Sequence, residues 1–163
     1  MPISHNTIQK LGDYRDVQPQ QAGREVALEL HRQMLRLRRI EEALHEEYHP
    51  ADEMRCPIHF CIGQEAVPAA LSLLLNPEDF LFSHHRSHGY YFAKRAPICE
   101  LFAEIYGRKT GASGGLAGSQ DISHPASHFY SGAILSGAVS IAAGAAFGFQ
   151  LQKKSQISVA GFG

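Results

Sequence analysis

The stretch Ala133-Ile-Leu-Ser-Gly-Ala-Val-Ser-Ile-Ala-Ala-Gly-Ala-Ala-Phe-Gly-Phe-Gln-Leu151, followed by Ile157-Ser-Val-Ala-Gly-Phe-Gly163, decides the fold. Its first part runs 19 residues without a charge; its second is a short apolar run that ends in glycines. A helix feeding a strand that ends in glycines predicts a parallel α/β sheet. In such sheets the loop after a strand is where ligands bind. Nineteen uncharged residues also match the length of a membrane span. Ala, Gly and Ser contribute little to insertion, however, so a buried, tightly packed helix of a soluble domain is the favoured expectation. Gly144-x-x-x-Gly148 would let another backbone approach it closely.

The rest of the chain differs sharply from this end. Of its 31 formal charges, only Asp121, Lys153 and Lys154 fall in residues 113–163, together with nine of the 15 glycines. That third cannot make an ordinary solvated surface and must be core, interface or bilayer. Over all 163 residues the chain is 44% hydrophobic and 19% charged, which excludes wholesale disorder. Fifteen Lys and Arg against 16 Asp and Glu leave a net charge of −1, so no global field draws nucleic acid or an anionic membrane. Cys56, Cys61 and Cys99 follow no metal-ligand spacing and are expected to be inert thiols of a reducing compartment. Met1–Gln21 lacks an apolar signal core and carries Asp13 and Asp16, so the expected location is cytoplasmic.

Residues 1–22 are expected to form a loose arm. From Arg24, Val26, Leu30, Met34, Leu37, Ile40, Leu44 and Tyr48 step by three or four, predicting an amphipathic helix stopped by His49-Pro50. Glu25, Glu29, Arg32, Arg36, Arg38, Arg39, Glu41, Glu42 and Glu46 read as its solvated or partner-facing surface. A connector over 51–63 leads to a second helix over 64–75, with Pro68 tolerable only near its first turn. Asn76-Pro-Glu-Asp79 reads as a turn and Phe80-Leu-Phe82 as a short buried strand. A third helix opens at Pro97 and closes at Gly107, with Ile98, Leu101, Phe102 and Ile105 on one face. A glycine-rich loop follows over 107–119.

His84-His85-x-x-His88 looks metal-like, but only His84 and His88 have helical ligand spacing and no carboxylate completes a set nearby. A hydrogen-bonding role is favoured. Arg86 could offer a planar fork to phosphate or carboxylate, or simply sit in a surface ion pair. Gly63-Gln-Glu-Ala66, at a helix start, could present backbone donors to an anion or serve as a cap. Gly111-Ala-Ser-Gly-Gly-Leu-Ala-Gly118 lacks the Lys-Ser/Thr ending of a Walker loop, and Ser119 lacks a nucleophile-elbow context.

The order of the pieces says more than any one of them. Met34-Leu-Arg-Leu-Arg-Arg-Ile-Glu-Glu42, His59-x-x-x-Gly63-Gln-Glu-Ala66, Arg86-Ser-His-Gly89, Ala103-Glu-Ile-Tyr-Gly-Arg-Lys-Thr-Gly111, Gly118-Ser119, Ile134-Leu135, Gly144-Ala-Ala146 and Phe162-Gly163 follow one another. Over about residues 24–163 this series resembles the alpha subunit of the thiamine-diphosphate-dependent decarboxylating component of 2-oxo acid dehydrogenase complexes. The resemblance implies the N-terminal portion of a parallel α/β thiamine-diphosphate domain over residues 23–163, mostly helical here. It also implies oxidative decarboxylation of a 2-oxo acid, the acyl group passing to the lipoyl arm of an acyltransferase. A beta subunit would supply the carboxylate that activates the aminopyrimidine, in an assembly of two alpha and two beta subunits.

By position, the resemblance assigns Arg86 to the cofactor's diphosphate, with His85 where a tyrosine is usual. It sets His59 near the reacting end, and Ala133 and Leu135 against the aminopyrimidine. Ser140 replaces a usual proline. Gln120-Asp121 stands where Met-His is common, and His124 is the candidate to compensate. Gly163 would be the first glycine of a Gly-Asp-Gly segment whose Asp, with a later Asn, binds Mg2+. The expectation is therefore of a truncated subunit, inactive alone, with no metal ligand in this sequence. A non-catalytic interaction remnant and a small membrane-associated protein are the alternatives.

Overall fold

The computed structural model describes residues 23–48, 53–54 and 56–162. The expected arm over 1–22, the His49-Pro50 stop and Gly163 lie outside the described residues. The helices are α1 (Arg24–Glu46), α2 (Ala66–Leu74), α3 (His88–Ala93), α4 (Ile98–Ile105) and α5 (Gly137–Leu151). The strands are β1 (Phe80–Ser83), β2 (Ser123–His124), β3 (Phe129–Ser131) and β4 (Ser158–Ala160). They form one sheet in the order β2-β3-β1-β4. Strand β1 pairs in parallel with β3 on one side and β4 on the other, and β2 adds an antiparallel edge. The chain is thus α/β with a largely parallel sheet.

Alternation along β1 sets the two layers. Leu81 is paired with Phe129 and Val159, and Phe129 meets the edge of Tyr91 at 5.6 Å. This face covers the main core, with Leu37, Leu44, Met54, Leu101, Ile105 and Ile122. Phe80 and Phe82 stack with Tyr130 toward the opposite layer, where Phe149 of α5 lies 4.9 Å from Phe80. The predicted helices and both predicted strands form within a few residues of their expected ends. Pro68 sits in the first turn of α2, where no intrahelical donor is required. Gly89 lets α3 approach α2, since a Cβ there would lie 2.6 Å from Cγ of Pro68.

Two expectations are corrected. Glu41, read as part of the solvated surface of α1, is wholly buried. It lies four residues after Leu37 and three before Leu44, on the apolar stripe itself. Helix α5 was expected to be buried, yet Ala142 is its one buried residue. It packs on β1 and β4, while Val139, Ile141, Phe147 and Leu151 remain exposed. A Cβ at Gly144 or Gly148 would meet nothing within 4 Å. No helix among the described residues is long and apolar enough to cross a membrane.

The glycine-rich loop is ordered by an anion from within the chain. Glu104, buried in α4, accepts the N–H groups of Ser113, Gly115 and Ala117 at 2.7, 2.8 and 2.7 Å. Gly115 has φ +79°, and a Cβ there would lie 2.6 Å from the carbonyl carbon of Gly107. Glu104→Ala leaves three donors unpartnered and is expected to destabilise the fold by about 3 kcal/mol. Gly115→Ala should act in the same direction through backbone clash. Urea unfolding checks both, read as a lower midpoint at unchanged slope.

Candidate functional site

The loops at the carboxyl ends of the parallel strands carry the candidate residues. Directly after Ser83 of β1 come His84, His85 and Arg86. Together with Gly63, Gln64, Ala66, Val67, Pro68, Cys61, Tyr90 and Phe162 they line a cavity of about 430 Å³. No carboxylate is among these residues. The Arg86 Nη1 donates to the Phe60 carbonyl at 2.6 Å, and no ion pair among the described residues involves Arg86. A carbonyl holds the guanidinium without neutralising it, so its charge remains available to a ligand in the cavity.

His59 stands edge-on to His85, ring centres 4.9 Å apart, and His85 meets His84 at 5.3 Å. Three imidazoles and a guanidinium are therefore contiguous. Burial holds His59 and His84 below the ordinary imidazole range, and the neighbouring His85 and Arg86 charges push the same way. The segment Gly63–Ala66 takes the cap role for its carboxylate. Glu65 accepts from Gly63 N–H at 2.8 Å and from Arg38 Nε at 2.6 Å. Burial raises its pKa, and these partners outweigh that and hold it below the usual carboxylate range.

His88 turns the other way, so the three histidines of the His84-His85-x-x-His88 run do not converge. Its Nδ1 lies 2.7 Å from Glu41 Oε1 and its Nε2 2.9 Å from Ser119 Oγ. Glu41 Oε2 also accepts the Cys61 N–H at 2.7 Å. Burial and the Glu41 carboxylate drive the Cys61 thiol strongly upward, and burial raises Cys56. Neither is a poised nucleophile.

Ala133 is placed on the other side of the β1 end, in a second cavity of about 340 Å³ with Ser83, Asp121, Tyr130 and Ile141. Its N–H donates to Asp121 Oδ1 at 2.8 Å. Leu135 is half exposed and lines neither cavity. His124 does not take over the position of Asp121. It pairs with Phe129 at the amino end of β3, where it contacts Ser127 and Glu100. The antiparallel run of β2 carries the chain from Asp121, at the carboxyl end of β3, to the opposite end of the sheet.

Sequence reasoning missed Glu41, Glu104, Tyr90 and Ser119. Glu41 carried a usable signal, its place on the apolar stripe of α1; the others meet their partners only through the fold.

A largely parallel sheet with a cavity beyond its carboxyl edge is the arrangement in which open α/β domains place their ligand sites. The family described as Dehydrogenase E1 component matches residues 32–163. The chain belongs to this family. It is 34% identical over 141 residues to the testis-specific pyruvate dehydrogenase E1 component subunit alpha of Rattus norvegicus, covering 86% of this chain and 35% of that one. The alpha subunit of Rhizobium meliloti is 34% identical over 137 residues, covering 83% of this chain and 39% of that one. That of Kluyveromyces lactis is 32% identical over 137 residues, covering 83% and 32%. The chain spans about a third of the length of these curated relatives.

The lowered histidines give the site a pH signature. Below the ordinary imidazole value of 6.5 the unfolded chain takes up protons that His59 and His84 still refuse. Their contribution to stability is therefore lost as pH falls from there toward their folded values. An anion in the cavity favours the charged rings, so inorganic pyrophosphate is expected to raise both titration midpoints. Histidine ring signals in NMR, followed with and without pyrophosphate, check the direction.

Proposed function

We propose that this chain is the alpha-type partner in thiamine-diphosphate-dependent oxidative decarboxylation of a 2-oxo acid, with acyl transfer to a lipoyl group. The observation that carries this reading is the 430 Å³ cavity lined by His84, His85 and Arg86 and by no carboxylate. Family membership and similarity to pyruvate dehydrogenase alpha subunits support it. The residues fit the diphosphate end of the cofactor: a guanidinium fork at Arg86 and imidazole donors at His84 and His85, while the Gly63 and Gln64 N–H groups are already taken by Glu65 and the Cys61 carbonyl. They offer magnesium no carboxylate. Mg2+ prefers oxygen ligands in octahedral array, so its protein ligands belong to residues outside those described.

When bound, thiamine diphosphate would supply a nucleophilic carbon for the keto group and a sink for the electron pair left when carbon dioxide departs from the 2-oxo acid. The chain's own residues bind and orient. Arg86, steadied by the Phe60 carbonyl, takes the diphosphate charge. His59, beside His85, is a neutral imidazole at neutral pH and can accept or return a proton near the reacting end. Asp121 holds the Ala133 N–H, which leaves the Ala133 carbonyl for the aminopyrimidine. Leu135 is proposed to contact that ring in the assembly, and Gly163 to approach the diphosphate.

A beta subunit completes the site, a second alpha subunit completes the assembly, and a lipoyl-bearing acyltransferase receives the acyl group. We place the assembly in the cytoplasm.

Calorimetric titration tests the proposal. The 163-residue chain alone is expected to show no decarboxylase activity and only weak binding of thiamine diphosphate with magnesium, because its cavity lacks metal ligands. Co-expression of the whole subunit with its beta partner should restore both. In that assembly Arg86→Ala should weaken cofactor binding by about 1.5–3 kcal/mol, the worth of a charge-assisted hydrogen bond. Arg86→Lys should recover only part, since an ammonium cannot reproduce the fork. Wild-type cofactor affinity in both variants would refute the role of Arg86.

A further inference from the structure

A closed circuit of hydrogen bonds lies behind the cavity, and none of its three side chains lines it. Glu41, His88 and Ser119 are each fully buried or nearly so, and they come from α1, α3 and the end of the glycine-rich loop. Glu41 Oε1 meets His88 Nδ1 at 2.7 Å, and His88 Nε2 meets Ser119 Oγ at 2.9 Å. A carboxylate only accepts, so Nδ1 donates to Glu41, and with that tautomer the Ser119 hydroxyl donates to Nε2. Both ends of this row return to one short segment. The Cys61 N–H donates to Glu41 Oε2 at 2.7 Å, and the His59 N–H reaches Ser119 Oγ at 3.4 Å. Between those two donors lies Phe60, whose carbonyl receives Arg86. The N–H groups on either side of Phe60 and its own carbonyl are thus all tied to side chains.

We infer that Glu41, His88 and Ser119 are positioning residues: they fix the backbone of residues 59–61 and through it hold Arg86 at the cavity and the His59 ring against His85. An apolar trio of equal volume would hold the same segments together without taking a carboxylate out of water. What it could not do is present the Phe60 carbonyl at a fixed angle, because that requires the flanking N–H groups to be tied on both sides. The inference rests on the cofactor reading only for the identity of the anion that Arg86 meets.

The test uses Glu41→Gln and Ser119→Ala in the whole subunit assembled with its beta partner, with inorganic pyrophosphate as the probe. Removing a buried negative charge near a cationic cavity strengthens anion binding if only the field matters. Positioning predicts the opposite sign. Both variants should bind pyrophosphate about tenfold more weakly, the size of one lost hydrogen bond to a charged group. Ser119→Thr, which keeps the hydroxyl, should recover most of the loss.

Hydrogen exchange of the unliganded protein gives a second readout. Amides of residues 59–63 should exchange about tenfold faster while those of β1 keep their protection. Stronger pyrophosphate binding by Glu41→Gln, or unchanged exchange over 59–63 in both variants, would overturn the inference. A wild-type assembly that ignores pyrophosphate would instead sink the cofactor reading, and the exchange arm would still judge the row.

Discussion

Strand β1 is the element on which the rest depends. It is four residues long, yet it is hydrogen-bonded in parallel on both edges and packed on both faces. Such a strand has no solvent side, so each position must satisfy a layer: Phe80 and Phe82 toward α5, Leu81 and Ser83 away from it. Parallel neighbours also force every connection to cross over, which brings the loops after β1, β3 and β4 to one edge. His84, His85 and Arg86, then Gly132 and Ala133, then Gly161 and Phe162 are neighbours for this reason. The cationic cavity is a by-product of topology before it is a matter of residue choice.

Charge is divided between the interior and that edge. Of the four buried carboxylates among the described residues, Glu41 and Glu104 are met mainly by backbone N–H groups and one imidazole. Each organises a segment with few apolar side chains of its own, the 59–61 turn and the glycine-rich loop. A loop poor in apolar side chains cannot be held by burial, so an internal anion does what a core would do elsewhere. Positive charge is left at the cavity, where Arg86 keeps its guanidinium steadied by a neutral carbonyl. With Glu41 withdrawn behind the cavity and Arg86 at its lining, the opening is locally cationic in a chain whose net charge is −1.

Much of this was legible in the residues. The three-and-four spacing of α1, the Pro97 start of α4, and the Phe80-Leu-Phe82 and Ile157-Ser-Val159 runs each announce an element by local pattern. Other elements have no such pattern. Helix α3, His88–Ala93, is six residues of His, Gly and aromatics without room for a period. Strands β2 and β3 are two and three residues long; β3 exists because β1 offers it an edge, and β2 because β3 does. The site was legible in composition at Arg86 and His85, which sit in sequence beside the strand that positions them. It was legible at Glu41 only as a position on the apolar stripe of α1, and not at Glu104 and Ser119, whose partners lie far along the chain or on backbone atoms. Helix α5 shows the converse: its uncharged sequence predicted burial, and the described residues cover one side of it only.

The two internal carboxylates also imply an order of events as the chain collapses. Glu104 reaches its loop partners across 9, 11 and 13 residues. The Glu41 row needs separations of 47 and 31 residues to be closed. Closing a short loop sacrifices less chain entropy than closing a long one, and local contacts form sooner. Helix α4 and the glycine-rich segment therefore constitute an early, nearly autonomous hairpin of structure. The junction that ties α1 to α3 and to Ser119 forms only when distant parts of the polypeptide have met. By the same measure the closure of β4 onto β1, with the Ile157 N–H on Asp79 across 78 residues, comes later still, and the cavity beside β1 is complete only then.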